Sequence, residues 1–220
     1  MRPRPHLGLS FLLAGLALGC EGPGVEPLSV LTDPSDPCWQ QTAPAAFRVI
    51  VETSRGTFEM EVHREWAPIG ADRFYNLVRT GYFDDSRFSR VREGFIVQFG
   101  IAGEPAVSQT WRNQQLIDDP VVESNTEGTF AYAMTGPDTR TTQIYISLAN
   151  NSRLDEQGFA PLGRVSRGMQ VVKSLYSGYD EEAGGGMRAA KQDPVFEGGN
   201  WWLDANFPKL DRLLTARVVR

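Results

Sequence analysis

The stretch 47–62 constrains the fold more than any other. Phe47-Arg48-Val49-Ile50-Val51-Glu52-Thr53 reads as a strand, and Ser54-Arg55-Gly56 supplies a hairpin turn with a glycine. Phe58, Met60 and Val62 then alternate with Thr57, Glu59 and Glu61. That period of two puts one face on a core and the other in water, the signature of an antiparallel pair. The chain is thereby committed to a sheet that must bury one side. A helix is predicted next, with Pro68 in its first turn, where the missing N–H costs nothing. Ala71, Phe74, Leu77 and Val78 carry its helical spacing, and Gly81 is its expected stop.

Further short strands are predicted over 87–91, 95–100, 129–134, 143–148 and 162–165, with a closing strand over 213–219. A short amphipathic helix is expected over 168–175. The long polar stretch 101–128 reads as a connection. The region 178–199, with Gly184-Gly185-Gly186 inside it, reads as a mobile loop. Those glycines lack the Gly-Lys-Ser/Thr ending of a phosphate loop and are given no ligand. Trp201 and Trp202 are expected to pack on a core edge. Many short strands with two helices suggest a mainly β chain, an antiparallel barrel with helices at its ends.

The N-terminus reads as a targeting segment. Arg2 and Arg4 precede an apolar stretch, 7–18, that is too short to span a bilayer as a helix. It ends in Ala17-Leu18-Gly19-Cys20, which resembles a bacterial lipobox with Ala17 where Leu is usual. Residues 1–19 are therefore expected to be a lipoprotein-type signal peptide and Cys20 the lipidated residue, with an ordinary secretory signal as the alternative. The chain has two cysteines, Cys20 and Cys38. If Cys20 is lipidated, Cys38 has no partner within the chain; if not, the two could close a loop in an oxidising compartment. Residues 20–46 hold Pro23, Pro27, Pro34, Pro37 and Pro44 among small polar residues and read as a semi-extended tether. Residues 47–220 form one domain, with an extension from about residue 178.

The net charge is −5 and no basic cluster appears, which argues against a nucleic-acid partner. No metal site is expected. His6 lies in the signal, His63 reads as a surface residue, and the acidic run Asp118, Asp119, Glu123 reads as a solvated loop. Asn150-Asn151-Ser152 fits a glycosylation sequon, to which a bacterial-type signal gives no meaning.

Two segments carry the chemistry. One is Phe88-Ser89-Arg90-Val91-Arg92-Glu93-Gly94-Phe95-Ile96-Val97-Gln98. The other is Met134-Thr135-Gly136-Pro137-Asp138-Thr139-Arg140-Thr141-Thr142-Gln143-Ile144-Tyr145-Ile146. Each residue alone would be ordinary: an arginine on a strand is usually solvated, and Phe95 or Tyr145 would be core. Their joint spacing resembles the active groove of the cyclophilins, a family of peptidyl-prolyl cis-trans isomerases. The resemblance covers roughly 47–175. It implies an eight-stranded antiparallel β-barrel capped by two α-helices, and acceleration of X-Pro bond rotation; with the signal-like N-terminus, the expected clients are exported proteins. No cofactor is implied.

By the resemblance Arg90 is the catalytic donor, while Phe95, Ile96, Tyr145 and Leu154 hold the proline ring. Gln98 and Gln143 bind substrate backbone, and Ala133 and Met134 form a further groove segment. Ser89 stands where most members have a histidine. Met134 replaces an asparagine, and Arg153 a tryptophan linked to cyclosporin binding. Phe159 falls near the position of a second groove histidine. Ser89 and Phe159 are thus supporting candidates. Ser89 as a nucleophile would lack a histidine base in the motif. The expected partners are proline-containing extended segments and, through Cys20, a membrane; the chain is expected to be a monomer of the cell envelope. The competing reading is a non-enzymatic module that binds proline-containing peptides, and a third is a structural lipoprotein that keeps only the fold.

Overall fold

The structure is a computed structural model that describes residues 28–219. The expected signal peptide and the expected lipidation at Cys20 lie outside the described residues. Nine strands form one antiparallel sheet: β1 (Ala46–Thr53), β2 (Gly56–His63), β3 (Ser86–Arg87), β4 (Arg90–Arg92), β5 (Ile96–Phe99), β6 (Thr129–Tyr132), β7 (Ile144–Ser147), β8 (Pro161–Arg167) and β9 (Arg212–Val219). Among the described residues five α-helices accompany them: α1 (Leu28–Leu31), α2 (Pro68–Arg79), α3 (Pro105–Trp111), α4 (Met169–Lys173) and α5 (Asp193–Asn206).

The strand order β3-β9-β1-β2-β8-β6-β7-β5-β4 places β3 and β4 at opposite edges. Only Phe88 and Ser89 separate them in sequence, a span of about 10 Å at full extension. The sheet must therefore curl until its edges nearly meet. This corrects the expected eight strands. The segment 87–91 is not one strand but two, broken where the chain passes from one edge of the sheet to the other. The seam is closed by covalent chain instead of a hydrogen-bonded ladder.

The hairpin behaves as its alternation demands. Thr53 pairs with Gly56 across a two-residue turn, and Val49, Val51, Phe58, Met60 and Val62 are all inward and buried. Helix α2 lays Ala71, Phe74, Leu77 and Val78 on the same core, where Phe74 meets Phe83 at 5.8 Å and Phe130 at 5.5 Å between ring centroids. At its first turn, Ile69 and Gly70 donate their N–H groups to the two carboxylate oxygens of Asp119, at 2.9 and 2.8 Å. The same carboxylate pairs with the buried Arg140 at 3.0 Å. Asp119 is thus a buried cap on α2, not part of a solvated acidic loop. A negative charge suits the positive end of the helix dipole and its unpaired N–H groups.

Four further expectations are corrected. The predicted tether is not free from residue 28 onward. Trp39 packs edge-on against Trp111 at 4.3 Å, Trp111 Nε1 donates to Leu31 O at 2.8 Å, and Asn76 Nδ2 donates to Gln41 O at 2.8 Å. Two indoles bury enough apolar surface to fasten a stretch whose composition argues for disorder. Trp111 ends helix α3, which lies inside the stretch 101–128 expected to be a plain connection. Seven residues give too few turns for a period to be read.

The region 178–199 is likewise built into the fold. Ala183, Val195, Phe196, Leu203 and Leu210 join Ile101 in a second buried cluster. Helix α5 is bent at Gly199, which has φ 53°; a Cβ there would lie 2.2 Å from Gly103 O, so only glycine fits. The helix is pinned by Arg87, whose Nε and Nη2 each donate to a different Asp204 oxygen at 2.8 Å. Trp202 packs against Phe207 at 5.4 Å, whereas Trp201 is 81% exposed, so only one of the two tryptophans closes a core edge.

Candidate active site

The site is a product of strand register. Arg90 lies opposite Gln98 in the β4–β5 pair, Gln98 opposite Tyr145 in β5–β7, and Tyr145 opposite Ala131 in β6–β7. Directly opposed residues share a face. These four therefore form one row across four strands. Their sequence neighbours Val91, Val97, Ile144, Ile146, Phe130 and Tyr132 face the main core. A slip of one residue would bury the row and expose the core.

Around this row lies a pocket of about 190 Å³. Arg90, Phe95, Ile96, Gln98, Ala133, Met134, Tyr145, Leu154 and Phe159 all line it, together with Gln157, Gly186, Met187 and Arg188. Nine of the sequence-derived candidates thus meet in one place. Gln143 does not line this pocket. It lines an adjoining cavity of about 330 Å³ with Thr139, Thr141, Gln192 and others. Ser89 is buried outside the pocket, its Oγ 3.7 Å from where a Cβ on Gly184 would sit.

Arg90 is held at several points. Its Nη1 donates to Gln98 Oε1 at 3.1 Å and its Nε to Glu181 Oε1 at 3.2 Å, while Nη2 pairs with the same Glu181 oxygen. These contacts use three of the five N–H groups of a guanidinium. Arg92 Nη1 also donates to Glu181, at 3.2 Å. The hydrogen bond from Arg90 holds the Glu181 carboxyl below the ordinary glutamate range, against a smaller opposing effect of burial. Gln98 Nε2 donates to Gln143 Oε1 at 2.8 Å, and Gln143 exchanges amide hydrogen bonds with Gln192, at 2.9 and 3.0 Å. The two glutamines expected to bind substrate backbone are therefore paired with each other.

The apolar wall is equally determined. Arg90 lies 5.7 Å from the Phe95 ring and Arg153 lies 4.8 Å from it, so Phe95 is contacted by two guanidinium groups. Tyr145 meets Phe159 edge-on at 5.7 Å. The Tyr145 hydroxyl donates to Asn125 Oδ1 at 2.6 Å. Burial, with a smaller contribution from the Asp155 charge, pushes its pKa well above the ordinary tyrosine range. Asn125 in turn donates through Nδ2 to Asp155 Oδ1 at 2.7 Å and to Phe159 O at 2.8 Å. One buried amide thus orients Tyr145 and the segment that carries Leu154 and Phe159.

Sequence reasoning missed Ala131, Asn125, Glu181, Met187 and Gln192. Ala131 was legible, because it shares the alternation of β6. The other four come from irregular segments, where no period assigns a direction to a side chain.

Fold and site together define a curled antiparallel β-sheet protein with an apolar pocket beside a held arginine. The pattern of the cyclophilin type peptidyl-prolyl cis-trans isomerase/CLD family matches residues 48–195, and the chain belongs to that family. Among its relatives, peptidyl-prolyl cis-trans isomerase-like 1 of Rhizopus delemar is 32% identical over 130 residues, 58% of this chain and 78% of that protein. The peptidyl-prolyl cis-trans isomerase of Acinetobacter baylyi is 30% identical over 138 residues, 58% of this chain and 70% of that protein. The fold is that of a cyclophilin type isomerase of Cryptosporidium parvum, with a TM-score of 0.58 at 16% identity over 80% of this chain and 98% of that one. The Cryptosporidium protein has also been crystallised in the presence of the dipeptide Ala-Pro. Relatives named as isomerases do not favour the binding-only alternative.

Proposed function

We propose that this groove accelerates cis-trans rotation of X-Pro bonds in extended segments of exported proteins. The observation that carries it is the placement of a hydrogen-bonded arginine beside a largely apolar pocket of about 190 Å³. Rotating a prolyl amide costs about 18–20 kcal/mol because conjugation is lost at the twisted midpoint. There the proline nitrogen becomes pyramidal and regains a lone pair. The reaction forms and breaks no covalent bond, so it needs neither nucleophile nor proton transfer. It needs a donor aimed at that nitrogen and a surface that fixes the ring.

Arg90 supplies the donor, from a guanidinium that Gln98 holds at Nη1. Phe95, Ile96, Tyr145 and Leu154 fix the ring, so that rotation is confined to the segment before it. A donor that meets the twisted state better than the planar one lowers the barrier. Gln98 keeps the guanidinium oriented before substrate arrives, which avoids reorganisation during the reaction. A charge-assisted hydrogen bond contributes about 1.5–3 kcal/mol, or about one to two powers of ten in rate. Isomerisation of a blocked Ala-Pro tetrapeptide is the test. Arg90→Ala should lower kcat/KM by roughly ten- to hundredfold, and an unchanged rate would remove Arg90 from the reaction.

Export is supported by the signal-like N-terminus, and an exported chain would leave Cys38 open to oxidation. Cys20, the chain's other cysteine, lies outside the described residues. A sulfur that carries a lipid is not available to a disulfide. The intact mass of protein recovered from the membrane fraction therefore decides between a lipid anchor at Cys20 and an unmodified chain.

A further inference from the structure

The segment 181–192 crosses the groove. At one side Glu181 sits on Arg90 and Arg92, and Gly186 backs onto the Arg90 guanidinium so closely that a Cβ would lie 3.2 Å from Cζ. At the other side Arg188 Nε donates to Thr135 O at 3.3 Å. Between them Met187 packs on the Ile96–Tyr145–Leu154 cluster and lines both the 190 Å³ pocket and the neighbouring 330 Å³ cavity. At the end of the segment Gln192 exchanges two amide hydrogen bonds with Gln143. A carboxylate on the arginine and a primary amide on the groove glutamine offer the same hydrogen-bonding groups as a peptide backbone.

The crossing is anchored at Ala183, buried in the second cluster, and is lightly fastened from Gly186 to Lys191. No strand of the sheet pairs with it. Its internal backbone bonds are local, as from Ala189 N to Gly186 O at 2.8 Å. Gly184 and Gly185 have φ 145° and 60°, and Arg188 and the Lys191–Glu182 pair are solvent-facing. Such contacts are individually weak in water. The ends of the region are firm by comparison, with Tyr179 stacked on Phe207 at 5.1 Å and α5 held by Arg87.

We infer that residues 181–192 are a displaceable strap that occupies the groove in place of substrate, so that an X-Pro segment binds by pushing it aside. Glu181 takes the place of a substrate acceptor on Arg90, Gln192 that of a backbone amide on Gln143, and Met187 blocks passage between the two cavities. The affinity seen by a short peptide is then the intrinsic affinity reduced by the fraction of molecules with the strap open. A long segment that contacts both cavities gains more from displacing it than a tetrapeptide does. The inference rests on the isomerase reading of the groove, and its test separates the two.

The experiment compares wild type with Met187→Ala, Arg188→Ala and Glu181→Gln. It measures the Kd of a blocked Ala-Pro tetrapeptide by titration calorimetry, and kcat/KM in the isomerisation assay. Weakening the strap should tighten Kd by roughly three- to tenfold in each variant, with kcat/KM rising through a lower KM. If Kd is unchanged or weaker in all three, the strap is part of the binding wall and the inference fails. If no protein isomerises the peptide but Kd still tightens, the strap stands and the isomerase reading falls. A measurement on the wild type needs no variant to fold. Saturating peptide should reduce hydrogen-exchange protection of the backbone amides in 181–192, whereas increased protection would overturn the inference.

Discussion

Tyr145→Phe tests whether the tyrosine hydroxyl serves the substrate or the scaffold. In the structure it turns away from chemistry. The phenol donates to Asn125 Oδ1 at 2.6 Å, and Asn125 is fully buried. Both amide hydrogens of Asn125 are aimed at Asp155 and Phe159 O, so the side chain cannot flip to compensate. Phenylalanine preserves the ring, its edge-on contact with Phe159 and the pocket wall. What is lost is one short hydrogen bond, and what remains is a buried carbonyl oxygen without its donor. Orphaning such a group costs about 1–3 kcal/mol. Taking about 2 kcal/mol and about 3 °C per kcal/mol for a domain of this size, Tm should fall by roughly 6 °C. Peptide isomerisation at a temperature well below Tm should change by less than about twofold. In an Asn125→Ala background the same substitution should cost much less, because the acceptor is already gone. Calorimetry and the isomerisation assay on the four proteins of that cycle suffice. An unchanged Tm, or a loss of kcat/KM beyond tenfold, would refute the assignment of the hydroxyl to the scaffold.

Asp119→Ala should destabilise the domain by about 3 kcal/mol, since it strips the first turn of α2 of its acceptor and leaves the buried Arg140 with a weakened partner set; a urea-derived loss below about 1 kcal/mol would contradict this. Stability should also fall in acid. The hydrogen bond from Arg87 lowers the carboxyl pKa of Asp204; at Asp155 burial pushes upward, but hydrogen bonds from Ser124 and Asn125 outweigh it and lower the pKa. A carboxyl depressed in the folded state contributes stability above its unfolded pKa and loses it as pH falls through the folded value. Unfolding free energy should therefore be level above about pH 5 and decline below about pH 4. Asp204→Asn should flatten that decline, and a variant as acid-sensitive as wild type would exclude this pair as a contributor.

The hairpin 46–63 and helix α2 were legible because each displays one period over enough residues to fix its inward face. The same logic reached Arg90, Phe95, Ile96, Gln98 and Tyr145, whose spacing on short strands resembles a known groove. Strand count was less secure. Nothing in Phe88-Ser89 announces that the chain leaves one sheet edge for the other, because that depends on how far the whole sheet curls. Composition also misled where a few aromatics decide the outcome. The residues before Ala46 look like a tether, yet Trp39 and Trp111, far apart in sequence, find each other in the fold.

The sequence by itself determined the alternating faces, the helix that covers the core, and the residue types able to hold a proline ring and donate to its nitrogen. These follow from local period and side-chain chemistry. Only the tertiary structure decided that Gln98 and Gln143 face each other, that Asn125 holds Tyr145, and that Glu181, Met187 and Gln192 lie across the groove. Those contacts join segments separated by tens of residues through irregular backbone. Their geometry is set by the packing of the elements on either side, which no local pattern encodes.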